Sequence, residues 1–387
     1  MGSWSRSWRA RSVPGFAGTV IATLAFALAA CGDDPVSTAK GIPAQLFYLT
    51  HADGREESVW ASEQTDIHRI NADGTGAENM TRAPADYASL SMSPDGRTVA
   101  FQSSRSGKSE IWVLSTQFAG QMTKLTDGGG NDAPRFSPNG LLVAYQHLGP
   151  DGVRVFVVNA DGTNARDVTR DLDIGGCIPT RIQLIGWQPN GRVMFSRNVC
   201  GTETRFYAVN ADGTGLAAVS GLNLHTAYWS PDGSRIVYLD QDGAGYDLFV
   251  RNADGSGVRR LTTHAGIHYL PSRTLPHFRS DYTPWSPDGK RIMFFGDTDP
   301  SVNQAEAYAC TGTSLVYVVN VDGTGLKQLG DFCGEFNGWS PRGDQLAFSS
   351  RRGAARDVYL VNVEDGGVTN LTNSEVPESS AFWVRGR

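Results

Sequence analysis

The stretch Trp229-Ser230-Pro231-Asp232-Gly233, followed by Ile236 and Tyr238, constrains the fold more than any other. It encodes a complete chain reversal with an alternating strand behind it. Proline presets φ at the first corner, aspartate accepts local N–H bonds, and glycine supplies the positive φ of a tight reversal. Ile236 and Tyr238 then share one face of the outgoing strand. The pattern recurs at Met92 to Gly96, Phe136 to Gly140, Trp187 to Gly191, Trp285 to Gly289 and Trp339 to Gly343. The six prolines are 44, 51, 42, 56 and 54 residues apart, close to the period of repeat architectures.

A second repeat interleaves with the first: a strand, a polar hairpin of the Asn-Ala-Asp-Gly kind, and a short strand ending in Leu-Thr or a close variant. It occupies 67–81, 155–169, 206–220, 248–262, 316–329 and 358–372, with 111–126 as a version lacking Asp-Gly. Asn, Asp and Gly placed between alternating apolar runs are a strong hairpin signal. Together the repeats define a four-stranded unit, strands A to D, in which A ends at the Trp and B is the Val-x-Phe run. The expected fold is therefore all-β, a single β-propeller of four-stranded blades. Six A–B hairpins against seven C–D hairpins leave six or seven blades open. Seven is expected if Leu46 to Leu49 is a strand B completed by Ala381-Phe382-Trp383-Val384, because the C-terminal strand then closes the ring and leaves no exposed edge.

The aspartates of the two hairpin types, Asp95, Asp232 and Asp288 in one and Asp73, Asp161, Asp212, Asp254 and Asp322 in the other, are expected to brace turns. A calcium loop would need a distal Glu that this pattern lacks. The tryptophans Trp187, Trp229, Trp285, Trp339 and Trp383 are expected between blades rather than as a carbohydrate platform.

The Trp-Ser-Pro-Asp-Gly unit and the Asn-x-Asp-Gly-x-Gly hairpin resemble the WD40-like repeats of the TolB family, over nearly everything from residue 46 onward. Two departures, a short tether in place of an N-terminal α/β domain and seven blades in place of six, keep the Tol-Pal role from carrying over. Similar propellers precede the hydrolase domain of prolyl-oligopeptidase-type peptidases.

Residues 1–30 read as a signal peptide. Arg6, Arg9 and Arg11 precede an apolar run, Gly18 to Ala30, too short to span a bilayer stably, and Leu28-Ala29-Ala30-Cys31 closes it. The closing residues resemble a bacterial lipobox, which implies lipidation of Cys31 and anchoring of the chain to the cell envelope. Gly32 in place of Asp implies the outer membrane or the surface. Residues 31–45 are then a flexible tether and 46–387 the propeller. Loss of the three arginines takes the formal charge from −6 to −9, so the chain has no electrostatic footprint for nucleic acid.

Strand alternation puts A–B and C–D turns at one end of the propeller and the long, variable loops at the other. Binding sites are commonly built on such loops, so the functional face is expected there. Cys177 with Cys200 and Cys310 with Cys333 flank the same blades at that end. In an exported protein they are expected as disulfides, with free thiols or a zinc site as the alternatives. His225, His264, His268 and His277 fall near the same end and are the candidates for a divalent metal. Gly266 and Pro271, however, argue against the helix that would place His264 and His268 on one ion. Catalytic signatures such as Gly-x-Ser-x-Gly or His-Glu-x-x-His are missing. The expected function is a lipid-anchored, monomeric, non-catalytic propeller without a cofactor, binding a protein or an envelope polymer through its long-loop face. The alternative is a metal-dependent polysaccharide lyase or hydrolase with its site at the mouth of the central channel.

Overall fold

The computed structural model describes residues 44–51, 65–82, 85–172, 181–199, 203–224, 226–242, 245–263, 267–270, 282–297, 315–331, 334–351 and 355–384. These form seven four-stranded antiparallel sheets, each a blade. Blade 1 pairs the strands Glu378–Trp383, Gln45–His51, Thr65–Asn71 and Glu78–Asn79 in that order. Blades 2 to 7 follow along the chain at 87–124, 131–167, 181–219, 228–260, 267–331 and 335–370. The C-terminal strand therefore closes the ring: Leu46 pairs with Trp383 and Thr50 with Glu378. Seven blades, not six, result.

The Val-x-Phe strands are buried on both faces because each sheet is stacked between two others. Val99, Ala100 and Phe101 are all fully buried, as are Leu346, Ala347 and Phe348. Apolar clusters bridge consecutive blades. Ala100, Ile111 and Leu125 of blade 2 meet Phe136, Val143 and Tyr145 of blade 3, and Val358 and Leu360 of blade 7 meet Leu46 and Ala381 of blade 1.

Both turn types follow their sequence chemistry. Each of the eight aspartates accepts the backbone N–H two residues ahead, from Asp73 and Thr75 at 2.9 Å to Asp95 and Arg97 at 3.1 Å. In the C–D turns the Asn side chain also donates to the Thr or Ser hydroxyl, as Asn71 does to Thr75 at 3.0 Å. The glycine after that hydroxyl is needed, since a Cβ on Gly325, at φ +64°, would lie 2.6 Å from the Asn320 amide nitrogen. Blade 3 has Asn164 there instead, at φ 57°, and asparagine is one of the few side chains that tolerates this region.

The Thr ending strand D does more than stop a strand. Thr126 Oγ1 accepts from Ile111 N at 2.9 Å and donates to Glu110 at 2.6 Å, tying the start of strand C to the end of strand D. Thr81 with Asp66 and Ile67, and Thr262 with Asp247 and Leu248, repeat the arrangement.

One strand differs from the sequence expectation. The repeat places the end of the blade 6 inner strand at Trp285, after the long insertion from His264 to Pro284. Its ladder is instead Ile267–Tyr269, paired with residues 295–297, and Trp285 keeps a single bridge to Ile292. Leu270 and residues 282–284 stand outside that ladder. Proline 284, which has no N–H to contribute to a ladder, immediately precedes Trp285.

Candidate functional site

The inner strands converge on a cavity of about 520 Å³ at the short-turn end, within the size range of ligand pockets. Every blade contributes to its wall, and the A–B turn prolines, Pro94 through Pro341, ring the opening. The position before each turn supplies large apolar lining, with Met92 and Phe136 in blades 2 and 3 and tryptophan in the other five. No carboxylate, cation or imidazole is among the lining residues.

The indoles are anchored between blades, as the sequence anticipates. Trp187 Nε1 donates to Arg135 O at 3.0 Å, Trp285 to Tyr228 O at 2.9 Å, Trp339 to Pro284 O at 2.9 Å and Trp383 to Gly338 O at 3.3 Å. With these N–H groups used in the frame, the rings present apolar surface to the cavity. The same residues thus serve both packing and the mouth, a double role that their repetition conceals.

Tyr282 breaks the sevenfold repetition. It belongs to the segment that leaves the blade 6 ladder, and its hydroxyl donates to Ala381 O of blade 1 at 2.6 Å while accepting from Asn337 Nδ2 of blade 7 at 3.2 Å. Asn337 is itself fixed by Ser349 Oγ at 2.7 Å. Sequence reasoning missed this residue; its only signal was its place in the long insertion between His264 and Pro284.

Exposed apolar side chains reinforce this end. Phe118 at 62%, Leu141 at 67%, Val258 at 58% and Leu326 at 56% exposure all stand on A–B or C–D turns. Leu148, 63% exposed, lies at the opposite end of blade 3.

The other residues singled out in the sequence lie almost entirely outside the described part of the chain. Cys31, Cys177, Cys200, Cys310, Cys333, His225, His264 and His277 lie outside the described residues, and of His268 only the backbone, in strand Ile267–Tyr269, is described. Among the described residues no group of three His, Cys, Asp or Glu side chains could hold a metal ion. Also among these, no helix is long and apolar enough to cross a membrane.

Seven of the turn aspartates, all but Asp95 of those named, are held below the ordinary carboxyl range. Hydrogen bonds from the Ser230 hydroxyl first, then from Ser234, hold the Asp232 carboxyl at about 2. The hydroxyl of Thr75 likewise lowers Asp73, and that of Thr163 lowers Asp161. Strongly raised carboxyls occur at the ring seam: burial lifts Glu335 to about 7 and Glu378 to about 8.

No family model matches the chain. An uncharacterised protein of Agrobacterium fabrum is 27% identical over 174 residues, covering 45% of this chain and 46% of that protein. The Tol-Pal system protein TolB of Anaeromyxobacter dehalogenans is 31% identical over 111 residues, 27% of this chain and 26% of that one. The chain thus spans less than half the length of the curated relatives it matches. Among solved structures, an oligogalacturonate lyase in complex with manganese superposes with a TM-score of 0.52 at 14% identity, covering 85% of this chain and 84% of that one. That likeness is one of fold. The repeated hairpins and the closed ring agree on one description: the chain is a seven-bladed β-propeller, similar over 111 residues to TolB.

Proposed function

We propose that this chain is a protein-binding propeller whose partner seats an apolar segment in the mouth at the short-turn end. The observation that carries the reading is the uncharged wall of tryptophan, proline, Phe136 and Met92 contributed by all seven blades. Such a wall gains by removing apolar surface from water and offers no cation to an acidic polysaccharide. The exposed turn side chains Phe118, Leu141, Val258 and Leu326 extend the same surface outward. TolB-like relatives support a protein partner in the cell envelope. In this reading lipid on Cys31 tethers a monomer there, and the pairs Cys177–Cys200 and Cys310–Cys333 brace the far end as disulfides.

The test uses two ends of one blade. A photo-crosslinking residue replacing Leu141 marks the mouth, and one replacing Leu148 marks the long-loop end. Crosslinking to an envelope protein from Leu141 and not from Leu148 is the expected result. Crosslinks confined to Leu148 would return the site to the long-loop end.

A further inference from the structure

The seam where blade 7 meets blade 1 carries buried acid that the turn and strand repeats do not call for. Glu378 opens the ring-closing strand Glu378–Trp383 and is 2% exposed; Thr372, the Val358 N–H and Ser374 hydrogen-bond its carboxyl, but its Oε2 has no hydrogen-bond partner among the described residues. Glu335 opens the inner strand of blade 7 and is 1% exposed. Its Oε2 accepts from Ser380 N at 3.3 Å, and its Oε1 also lacks a partner. Asp357, 4% exposed, stands beside Glu378 but has its own donors in Asn370 Nδ2 at 2.7 Å and Ser374 N at 2.8 Å.

An ionised carboxylate stripped of water needs several donors or a cation, and a lone oxygen without either is better protonated. The charged and titratable groups around the pair do not reverse this. Arg356 acts on Glu335, Asp357 repels the charged form of Glu378, and Tyr48 feels Glu378 across the blade 1 strand. His51, on that same strand, is hydrogen-bonded to Ser379 Oγ at 2.8 Å. At the other end of the closing strand, Phe382 and Trp383 form part of the mouth wall, and Ala381 O receives Tyr282.

We propose that the strand Glu378–Trp383 is a proton-operated latch: neutral Glu378 keeps it seated in the seam, and loss of that proton loosens it and with it the Phe382 and Trp383 wall of the mouth. The coupling to the mouth rests on the binding reading above; the latch itself does not. Glutamate ordinarily titrates near 4.5 and Glu378 here at about 8, so the latch is closed at acid pH. Between these values the opening equilibrium rises roughly tenfold per pH unit.

Hydrogen exchange of the full chain without any partner tests it. After correction for intrinsic exchange, protection of amides 379–384 is expected to fall roughly fiftyfold from pH 6 to pH 8, while amides of the blade 4 core change little. Glu378→Gln is expected to remove most of that dependence, leaving the share that Glu335, bonded to Ser380 N, contributes. If this variant does not fold, Asp357→Asn serves in its place: with the repelling charge gone, the loss of protection should level off at lower pH. Protection that is flat with pH in the parent, unchanged pH dependence in Glu378→Gln, or full protection at pH 8 restored by calcium alone would each overturn the proposal.

Discussion

The indole of Trp285 donates to the main-chain oxygen of Tyr228 across 2.9 Å, from blade 6 into blade 5, and both residues are all but completely buried. A side chain that repeats in the sequence is thereby also the clamp between neighbouring sheets. Tryptophan suits the position because it joins a large apolar face to one N–H donor.

Replacement of Trp285 by Phe keeps most of the apolar volume and removes the donor, leaving Tyr228 O buried without it. The expected cost is about 1–3 kcal/mol in denaturant unfolding. A variant as stable as the parent would show that the clamp contributes through packing alone.

Much of the fold is legible in the sequence because turn chemistry is local. Pro231, Asp232 and Gly233 specify a reversal without reference to the rest of the chain, and six copies in phase specify the architecture. Closure is legible for a related reason: Leu46 and Phe382 each belong to a strand whose partner is otherwise missing, and their pairing completes a blade. The site is less legible. The mouth is walled by the same Trp and Pro positions that hold the blades, so repetition marks them as framework and conceals that they also face a cavity. Tyr282 gives no local signal, since its partners Ala381 and Asn337 lie far along the chain. Glu335 and Glu378 look like ordinary strand-edge acids until burial is known.

The seam acids predict a stability that declines with rising pH. Burial raises Glu335 from an ordinary 4.5 to about 7, so the folded state favours the protonated form. Its contribution is complete below 4.5 and is lost as pH climbs through 7. That displacement corresponds to roughly 3 kcal/mol. In Glu335→Gln the stability difference between pH 5 and pH 8 should shrink by about that amount, as measured by urea unfolding at the two pH values. An unchanged difference would remove Glu335 as the cause.

The turn aspartates act in the opposite direction. Asp232 is held at about 2, below its ordinary 3.8, chiefly by the Ser230 hydroxyl. What it adds is present above 3.8 and disappears as pH falls toward 2. Asp232→Ala should therefore cost about 1 kcal/mol at pH 7 and progressively less as pH falls through 2. A cost that persists in acid would assign the effect to loop conformation instead of the carboxylate.

Thr126 predicts a sizeable local effect of a single methyl-for-hydroxyl exchange. Its hydroxyl is buried, accepts Ile111 N and donates to Glu110, which also receives Gly129 N at 2.8 Å and Asn131 Nδ2 at 2.7 Å. Thr126→Val keeps the shape and strips both bonds, leaving a buried N–H without its acceptor. The expected loss is about 2–3 kcal/mol, and Glu110→Gln in the same background should cost less than it does alone, because the two residues share one network. A double-mutant cycle by chemical denaturation measures the coupling, and strict additivity would show that the hydroxyl and the carboxylate act independently.

Asn164 offers a gain instead of a loss. It occupies the position that Gly76, Gly215, Gly257 and Gly325 fill in other C–D turns, at φ 57° where glycine is unstrained. Asn164→Gly should relieve the backbone, while the looser unfolded chain gives part of that back. The net expectation is a stabilisation of up to about 0.5–1 kcal/mol. The reciprocal change Gly325→Asn would carry its Cβ to within 2.6 Å of the Asn320 amide and should destabilise the chain. Thermal melts of the two variants have to move in opposite directions. If both fall, the blade 3 turn has a geometry of its own, matched to Asn164 and not merely tolerant of it.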